Sequence, residues 1–438
     1  MIKAGGARRV INCEIGDDLC GQLHRRICEA VRDDLEANFL YLSDGPISLM
    51  LVSLDLIGAF EAADFRELRA AAATAAGLPP RSVIITSTHT HDGPDTFGLL
   101  YDSPKNEAYL RKLKGWLAEG AKEAAAAARP ARLGWAAGKA HIGYNRRLCW
   151  RDGTHTMYGD SRRAEFTGLE GPDDPRHAVL VAVDEAGEPI AVVHNNCCHA
   201  TCVESATYAS ADYPGDARWR IRGALGLKMP VLYLQGASGD VSPWNMMGDG
   251  ARYDGQIRLQ EIGRLLADET LRLVKAAELR DSVVLRHAWE DVQMAVRLPD
   301  EATVRRAEKM EARGEAGGPN RWEYILKVDG ALKLYRRFKD NPFDTVPVHA
   351  VRIGDLAIAT NPFEMYCQFG RDIRSRSASG VTMISQLTDG FCGYCPTIYG
   401  VLGGGYSGEP IYWCRLESAA GYKIVDVSAR LLHELWRD

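Results

Sequence analysis

The sequence has no run of about 18 consecutive apolar residues, so a membrane-spanning helix is excluded. It also has little net charge: 53 Lys and Arg stand against 58 Asp and Glu, a balance of -5 with both signs interspersed. That excludes the strongly basic face that nucleic acid or an anionic membrane surface would need. The opening Met-Ile-Lys-Ala-Gly-Gly-Ala-Arg-Arg-Val lacks an apolar core of secretory length and a small-residue cleavage pattern. The 11 cysteines lack the spacing of a disulfide framework or of paired structural zinc knuckles. Together these absences predict a cytoplasmic protein whose thiols are reduced and mostly buried as small apolar side chains. Internal repeats, low-complexity tracts and a clean linker are absent as well.

What is present is an ordinary globular composition, 46% hydrophobic and 25% charged, in a chain long enough to bury a large core. Predicted strands and helices alternate throughout, which points to α/β architecture. Residues 38–42 and 48–54 flank Ser-Asp-Gly-Pro and read as a hairpin. A helix is predicted over 62–76, a short strand over 82–85 and a long helix over 108–128. A second hairpin spans 179–183 and 190–194, followed by a strand at 231–234 and an amphipathic helix over 256–275. Residues from about 300 to 345 read as a helical excursion broken at Gly317, Gly318 and Pro319. A strand–turn–strand covers 348–358, helix resumes to about Arg376, and the Gly-rich segment 390–408 reads as a functional loop. The simplest organisation is one catalytic domain over residues 1–438.

Two predicted strands run directly into histidine motifs. The first ends in His89-Thr90-His91. Residues two apart on an extended chain point to one side. One imidazole can therefore ligate a metal while the other moves protons near neutral pH. Taken alone the triplet is a weak signal, and two hydrogen-bonded loop histidines are the reading it favours. His155 sits in a similar Thr-His-Thr, but with Arg151, Asp152 and Gly153 and no strand before it, and reads as surface loop. The second strand ends in Cys197-Cys198-His199, with Cys202 close behind. Cys and His are zinc's preferred ligands, yet the missing C-x-x-C pairs favour His199 as a partner of His89. Glu364, after Asn361-Pro-Phe, stands where strand gives way to helix. A carboxylate there can ligate a metal, but the local pattern favours an acid that stabilises the first helical turn. Arg146, Asp240, Tyr394 and Tyr406 carry no signal singly.

In this order, however, the motifs resemble the catalytic domain of the neutral/alkaline (non-lysosomal) ceramidase family. The resemblance runs from Ala4-Gly-Gly-Ala-Arg-Arg-Val-Ile to about Asp426. It is carried by Thr88-His-Thr-His-Asp-Gly-Pro, Asn145-Arg146, and the run from Asp174-Pro through Cys198-His-Ala-Thr to Ala211-Asp-Tyr-Pro-Gly. Gly236-Ala-Ser-Gly-Asp-Val-Ser-Pro, Phe363-Glu364 and Gly393-Tyr394 with Tyr406 complete it.

The resemblance implies mixed β-sheets flanked by helices and one Zn²⁺ per chain. It implies His89, His199, Glu364 and Tyr394 as the zinc ligands, and His91, Arg146 and Tyr406 as non-ligand catalytic groups. The implied reaction is attack of a zinc-bound water on an amide carbonyl. A metal-dependent esterase or lactonase would use the same residues; a binding protein with a structural zinc is the reading of another class. Departures from the family are Asp92 after the His-Thr-His, Asn361-Pro-Phe before the glutamate, and the lack of an immunoglobulin-like C-terminal domain and export signal. With no obvious apolar surface for lifting a lipid from a membrane, these point to a small, polar N-acyl substrate. The roles of Asp92 and Asp240 and the oligomeric state stay open, a homo-oligomer being compatible with the sequence.

Overall fold

Two β-sheets face each other, with helices on their outer sides, in a computed structural model that describes residues 2–98, 103–247, 253–314 and 324–437. The larger sheet is built from β1 (Lys3–Val10), β2 (Glu36–Ser43), β3 (Ser48–Leu54), β4 (Val83–Ser87), β5 (Arg129–Lys139), β6 (Arg176–Asp184), β7 (Pro189–Asn196) and β8 (Val231–Gln235). Its spatial order is β8-β7-β6-β5-β1-β2-β3-β4. The centre is antiparallel, and a parallel pair closes each edge, β7 with β8 and β3 with β4. The smaller sheet comprises β9 (Leu285–Ala295), β10 (Phe343–Ile353), β11 (Leu356–Thr360) and β12 (Val381–Ser385), in that order. The mixed-sheet α/β expectation therefore holds.

Alternation along each strand explains the layers. In β3, Leu49 and Leu51 point between the sheets, where Leu40, Val193, Val351 and Ile358 meet them. Met50, Val52 and Leu54 point the other way, onto α1 (Ala62–Ala76) and α2 (Glu107–Ala126). Complete burial of each such leucine contributes about 1.5–3 kcal/mol. Helices α3 (Asp212–Leu225) and α4 (Gly255–Ala276) cover the β7–β8 edge through Ile221 and Ala267. Between 300 and 345 lie α5 (Glu301–Ala312), a π-helical stretch at Ile325–Gly330 and α6 (Ala331–Phe338). Val304, Ala307, Val328 and Leu332 give these a small cluster of their own. The predicted Gly-Gly-Pro break at 317–319 lies outside the described residues. The outer face of the smaller sheet is packed by α7 (Cys367–Ser375) and, past a short helix at Ile398–Gly403, by the helix Ala420–Leu435.

All 11 cysteines are free and ten are buried, Cys149 being the partly exposed one. No helix among the described residues is long and apolar enough to cross a membrane. The surface-loop reading of His155 is wrong. His155–Met157 is a strand paired with Arg147–Trp150, and the ring Nδ1 lies 2.7 Å from Glu170 Oε2. The preceding Asp152-Gly153 forms the tip of that hairpin, with Gly153 at φ 82°, and a hairpin tip has the same turn chemistry as a loop.

Candidate metal centre

The parallel edges of the larger sheet deliver the two histidines. β4 runs into Thr88 and His89; β7 runs into Cys197, Cys198 and His199. His89 adopts φ 65°, a left-handed conformation that costs a non-glycine residue about 1–3 kcal/mol. It is held there by its own N–H donating to the Leu56 carbonyl at 3.0 Å. The two-residue strand Glu364–Met365 lies parallel to Tyr394–Cys395, in a register that sets Glu364 beside Tyr394. Thus four segments distant in sequence converge on one point.

The hydrogen-bond partners define what each ring presents. His89 Nδ1 is 2.6 Å from the Ile57 carbonyl oxygen, and His199 Nδ1 is 2.6 Å from that of Ser238. Each ring donates its Nδ1 proton there, which leaves Nε2 as a lone pair. Glu364 Oε2 is 3.1 Å from His199 Nε2 and 3.4 Å from His89 Nε2. Three acceptors this close repel one another unless a cation or an added proton lies between them. Zinc bonds of about 2.0–2.2 Å in a tetrahedron imply ligand–ligand separations of about 3.4 Å, so these residues fit a zinc ion. His91 Nε2 is also 3.4 Å from His89 Nε2, and the ligating atoms of the three histidines all lie within 4.8 Å of one another.

Burial sets the electrostatics. Burial, reinforced by the Arg146 charge, lowers His199 to about 3. Burial and the neighbouring imidazoles hold His91 well below its ordinary value. For Glu364, burial raises the carboxyl, and only positive charge beside it, on His89 and His199 as imidazolium, would pull it well below the usual range. Burial pushes the Tyr394 phenol up, with Glu364 and Tyr406 adding to it; Tyr406 is pushed up by burial too. Their rings sit 5.3 Å apart, edge to face.

Arg146 spans the centre. Its Nη1 donates to Tyr158 Oη at 2.7 Å, and Nη2 reaches the Gly239 carbonyl at 2.9 Å and Tyr394 Oη at 3.3 Å. Nη2 also donates to His199 Nε2 at 2.8 Å. Asp240 is a strut: its Oδ1 accepts the Cys367 amide at 2.7 Å and its Oδ2 accepts from Asn145 at 2.8 Å. It thereby ties the Arg146 segment to the start of α7, and burial raises it to about 7. Gly239 makes the close approach feasible, because a Cβ there would stand 2.2 Å from the Glu364 carbonyl oxygen.

The structure gathers His89, His91, His199, Glu364, Tyr394, Arg146 and Tyr406 around one centre, joined by the contacts above. It also shows residues with little sequence signal. Buried Arg26 donates to Asp92 Oδ1 at 2.7 Å, to the carbonyls of Cys20 (2.7 Å) and Ala206 (2.8 Å), and to that of His91. Asp92 is therefore a structural clamp behind the His-Thr-His. Glu204 Oε2 accepts from Gln22 at 3.0 Å and lies 3.8 Å from His91 Nδ1. Its place five residues after His199 was a usable hint; Arg26 had none. The Gly-rich segment departs from a pure loop, since it contains the 394–395 strand and the Ile398–Gly403 helix.

No protein-family model matches the chain, and no curated protein matches its sequence significantly. Solved structures do match its fold. One, "Ceramidase complexed with C2", superposes with a TM-score of 0.75 at 16% identity, over 99% of this chain and 75% of that one. Another, the neutral ceramidase from Pseudomonas aeruginosa, gives 0.73 at 18% identity, over 100% and 75%. The chain has the fold of these ceramidase structures along its whole described length.

Proposed function

We propose that this chain is a zinc-dependent amidohydrolase, a single catalytic domain that cleaves a small, polar N-acyl substrate. The observation that carries this is the convergence of two imidazole Nε2 lone pairs and a carboxylate oxygen at tetrahedral-edge distances. The ceramidase fold supports amide hydrolysis as the reaction class. His89, His199, Glu364 and Tyr394 would hold one Zn²⁺. When bound, such an ion supplies a Lewis acid and lowers the pKa of water to about 7. A divalent cation would also favour the Tyr394 phenolate that burial alone opposes.

The chain's own groups divide the remaining work. His91, neutral through burial, is free to take a proton and pass it to the leaving amine. Arg146 is a buried, permanent cation, and Tyr406 stays a phenol donor; both suit a developing oxyanion. The accessible rim carries His91 and Glu204, each partly exposed, which supports a polar rather than a lipid substrate. The cysteine usage, 11 thiols with none paired, supports a reducing compartment and hence the cytoplasm.

The test is a substrate screen of the purified protein with N-acyl amino acids, short N-acyl amines, ceramides and matched esters. Chelator controls and metal analysis accompany it. We expect about one zinc per chain, amide turnover lost with chelator and regained with Zn²⁺, and zinc loss in His89→Ala and Glu364→Ala. His91→Ala should keep its zinc and lose turnover. Retention of both zinc and activity by His89→Ala or Glu364→Ala would sink the assignment.

A further inference from the structure

A cavity of about 390 Å³ lies apart from the metal centre, between α1, the start of β10 and residues 389–392. It shares no lining residue with the metal-centre set. Its walls are strongly aromatic. Phe97 meets Phe391 at 5.5 Å and Tyr412 at 6.0 Å, and Phe60 meets Phe65 at 5.8 Å. The size is at the lower end of small-molecule pockets, which are mostly apolar with a few placed polar groups.

Five arginines also line the cavity, and they are not equally satisfied. Arg415 is fully engaged by Asp344 (2.8 Å) and by the carbonyls of Tyr412 and Phe391. Arg81 pairs with Asp291. Arg69 differs. Its side chain is only 10% exposed, it stands over the Phe65 ring, and its Nη1 makes no hydrogen bond. Its one acid among the described residues, Asp389, has Oδ2 3.4 Å away. That oxygen is shared with His349 Nε2 at 2.8 Å, and the other oxygen accepts the Ile85 amide. An under-coordinated guanidinium in an aromatic cavity is costly unless an acceptor completes it. The lining also includes exposed Arg66 and Arg337, which make no ion pair among the described residues, and one further acid, Glu61.

We propose that this cavity is a second binding site, for a small organic carboxylate with an apolar body. The carboxylate would complete Arg69, and the body would replace water against the phenyl rings. One under-met guanidinium suits a monoanion, where a phosphate dianion would ask for more donors than the interior offers.

Octanoate is the probe, titrated calorimetrically into the metal-loaded protein, with neutral octanamide beside it. We expect octanoate to bind and octanamide to bind roughly tenfold to hundredfold more weakly, the loss of one charge-assisted contact. Arg69→Gln should weaken octanoate by a similar factor. Ala62→Trp, at an exposed lining position, should block the cavity without touching Arg69, and decides the matter if Arg69→Gln folds poorly. Failure of octanoate to bind at millimolar concentration overturns the proposal. So does equal binding in Ala62→Trp, which would place the ligand elsewhere.

Discussion

Arg26→Met tests whether the clamp behind the His-Thr-His holds the candidate metal centre in shape. Arg26 and Asp92 are 2% and 0% exposed in their side chains and 2.7 Å apart. Methionine keeps an apolar stem but removes the charge and four donated hydrogen bonds. Breaking a buried pair by removing one partner costs about 3–5 kcal/mol, because the other charge is stranded. Protonation limits that cost. Burial already pushes Asp92 up, Arg26 pulls it back, and Asp212 adds to the upward push. Without Arg26 the folded carboxyl titrates higher still, so the variant holds its proton to higher pH than the wild type does. The loss relative to wild type should therefore grow as pH rises and be smaller at pH 5 than at pH 8. Adding Asp92→Leu removes the stranded acid and should recover about 1 kcal/mol or more at pH 8. Urea unfolding at fixed Zn²⁺, with slopes compared so that only midpoints report stability, is the assay. A loss within about 0.5 kcal/mol, the range of an ordinary surface change, would refute the clamp. So would a loss that does not depend on pH.

Three further outcomes follow from the same geometry. His177 is fully buried, 2.8 Å from Thr270 Oγ1, and burial lowers it from 6.5 to about 4. Between those values the unfolded chain takes a proton that the fold excludes, so stability falls as pH drops through that window. By pH 5 the loss is about 2 kcal/mol; His177→Gln should flatten the wild-type slope by that amount, and parallel slopes would disprove it. Gly239→Ala forces a Cβ against the Glu364 carbonyl. Zinc affinity, read by chelator competition, should fall roughly 10- to 100-fold, as for other groups supporting a ligand; unchanged affinity would mean the backbone gives way there. Tyr406→Phe should lower kcat about 10²- to 10³-fold with zinc content intact, and an unchanged kcat would remove Tyr406 from the oxyanion role.

The residues that could be read from the sequence are those whose role follows from local pattern. A short β-branched strand ending in a histidine is visible at His89 and His199, and the structure places both at parallel sheet edges. Regular elements such as the helices at Ala62–Ala76 and Gly255–Ala276 follow from periodicity. The central strand β1 does not, because Lys3-Ala-Gly-Gly-Ala-Arg-Arg-Val breaks the apolar alternation. Its glycines answer to a distant neighbour: a Cβ on Gly5 would stand 2.1 Å from the Ala124 carbonyl oxygen of α2. The pairing of Glu364 with Tyr394 is of the same kind. Thirty positions apart in the chain, they become neighbours through a two-residue parallel ladder with no propensity signal of its own. Only the resemblance to a family put the two in one ligand set. Arg26 carries no local signal, and Gly239 has one only as part of the Gly236-Ala-Ser-Gly-Asp motif: arginine usually marks solvent and glycine a turn, whereas here one is a buried donor to four acceptors and the other a gap that lets backbone approach Glu364. Where contact order rather than residue type assigns the role, variants at Arg26, Gly239 and Gly5 probe the centre as directly as variants at its histidines.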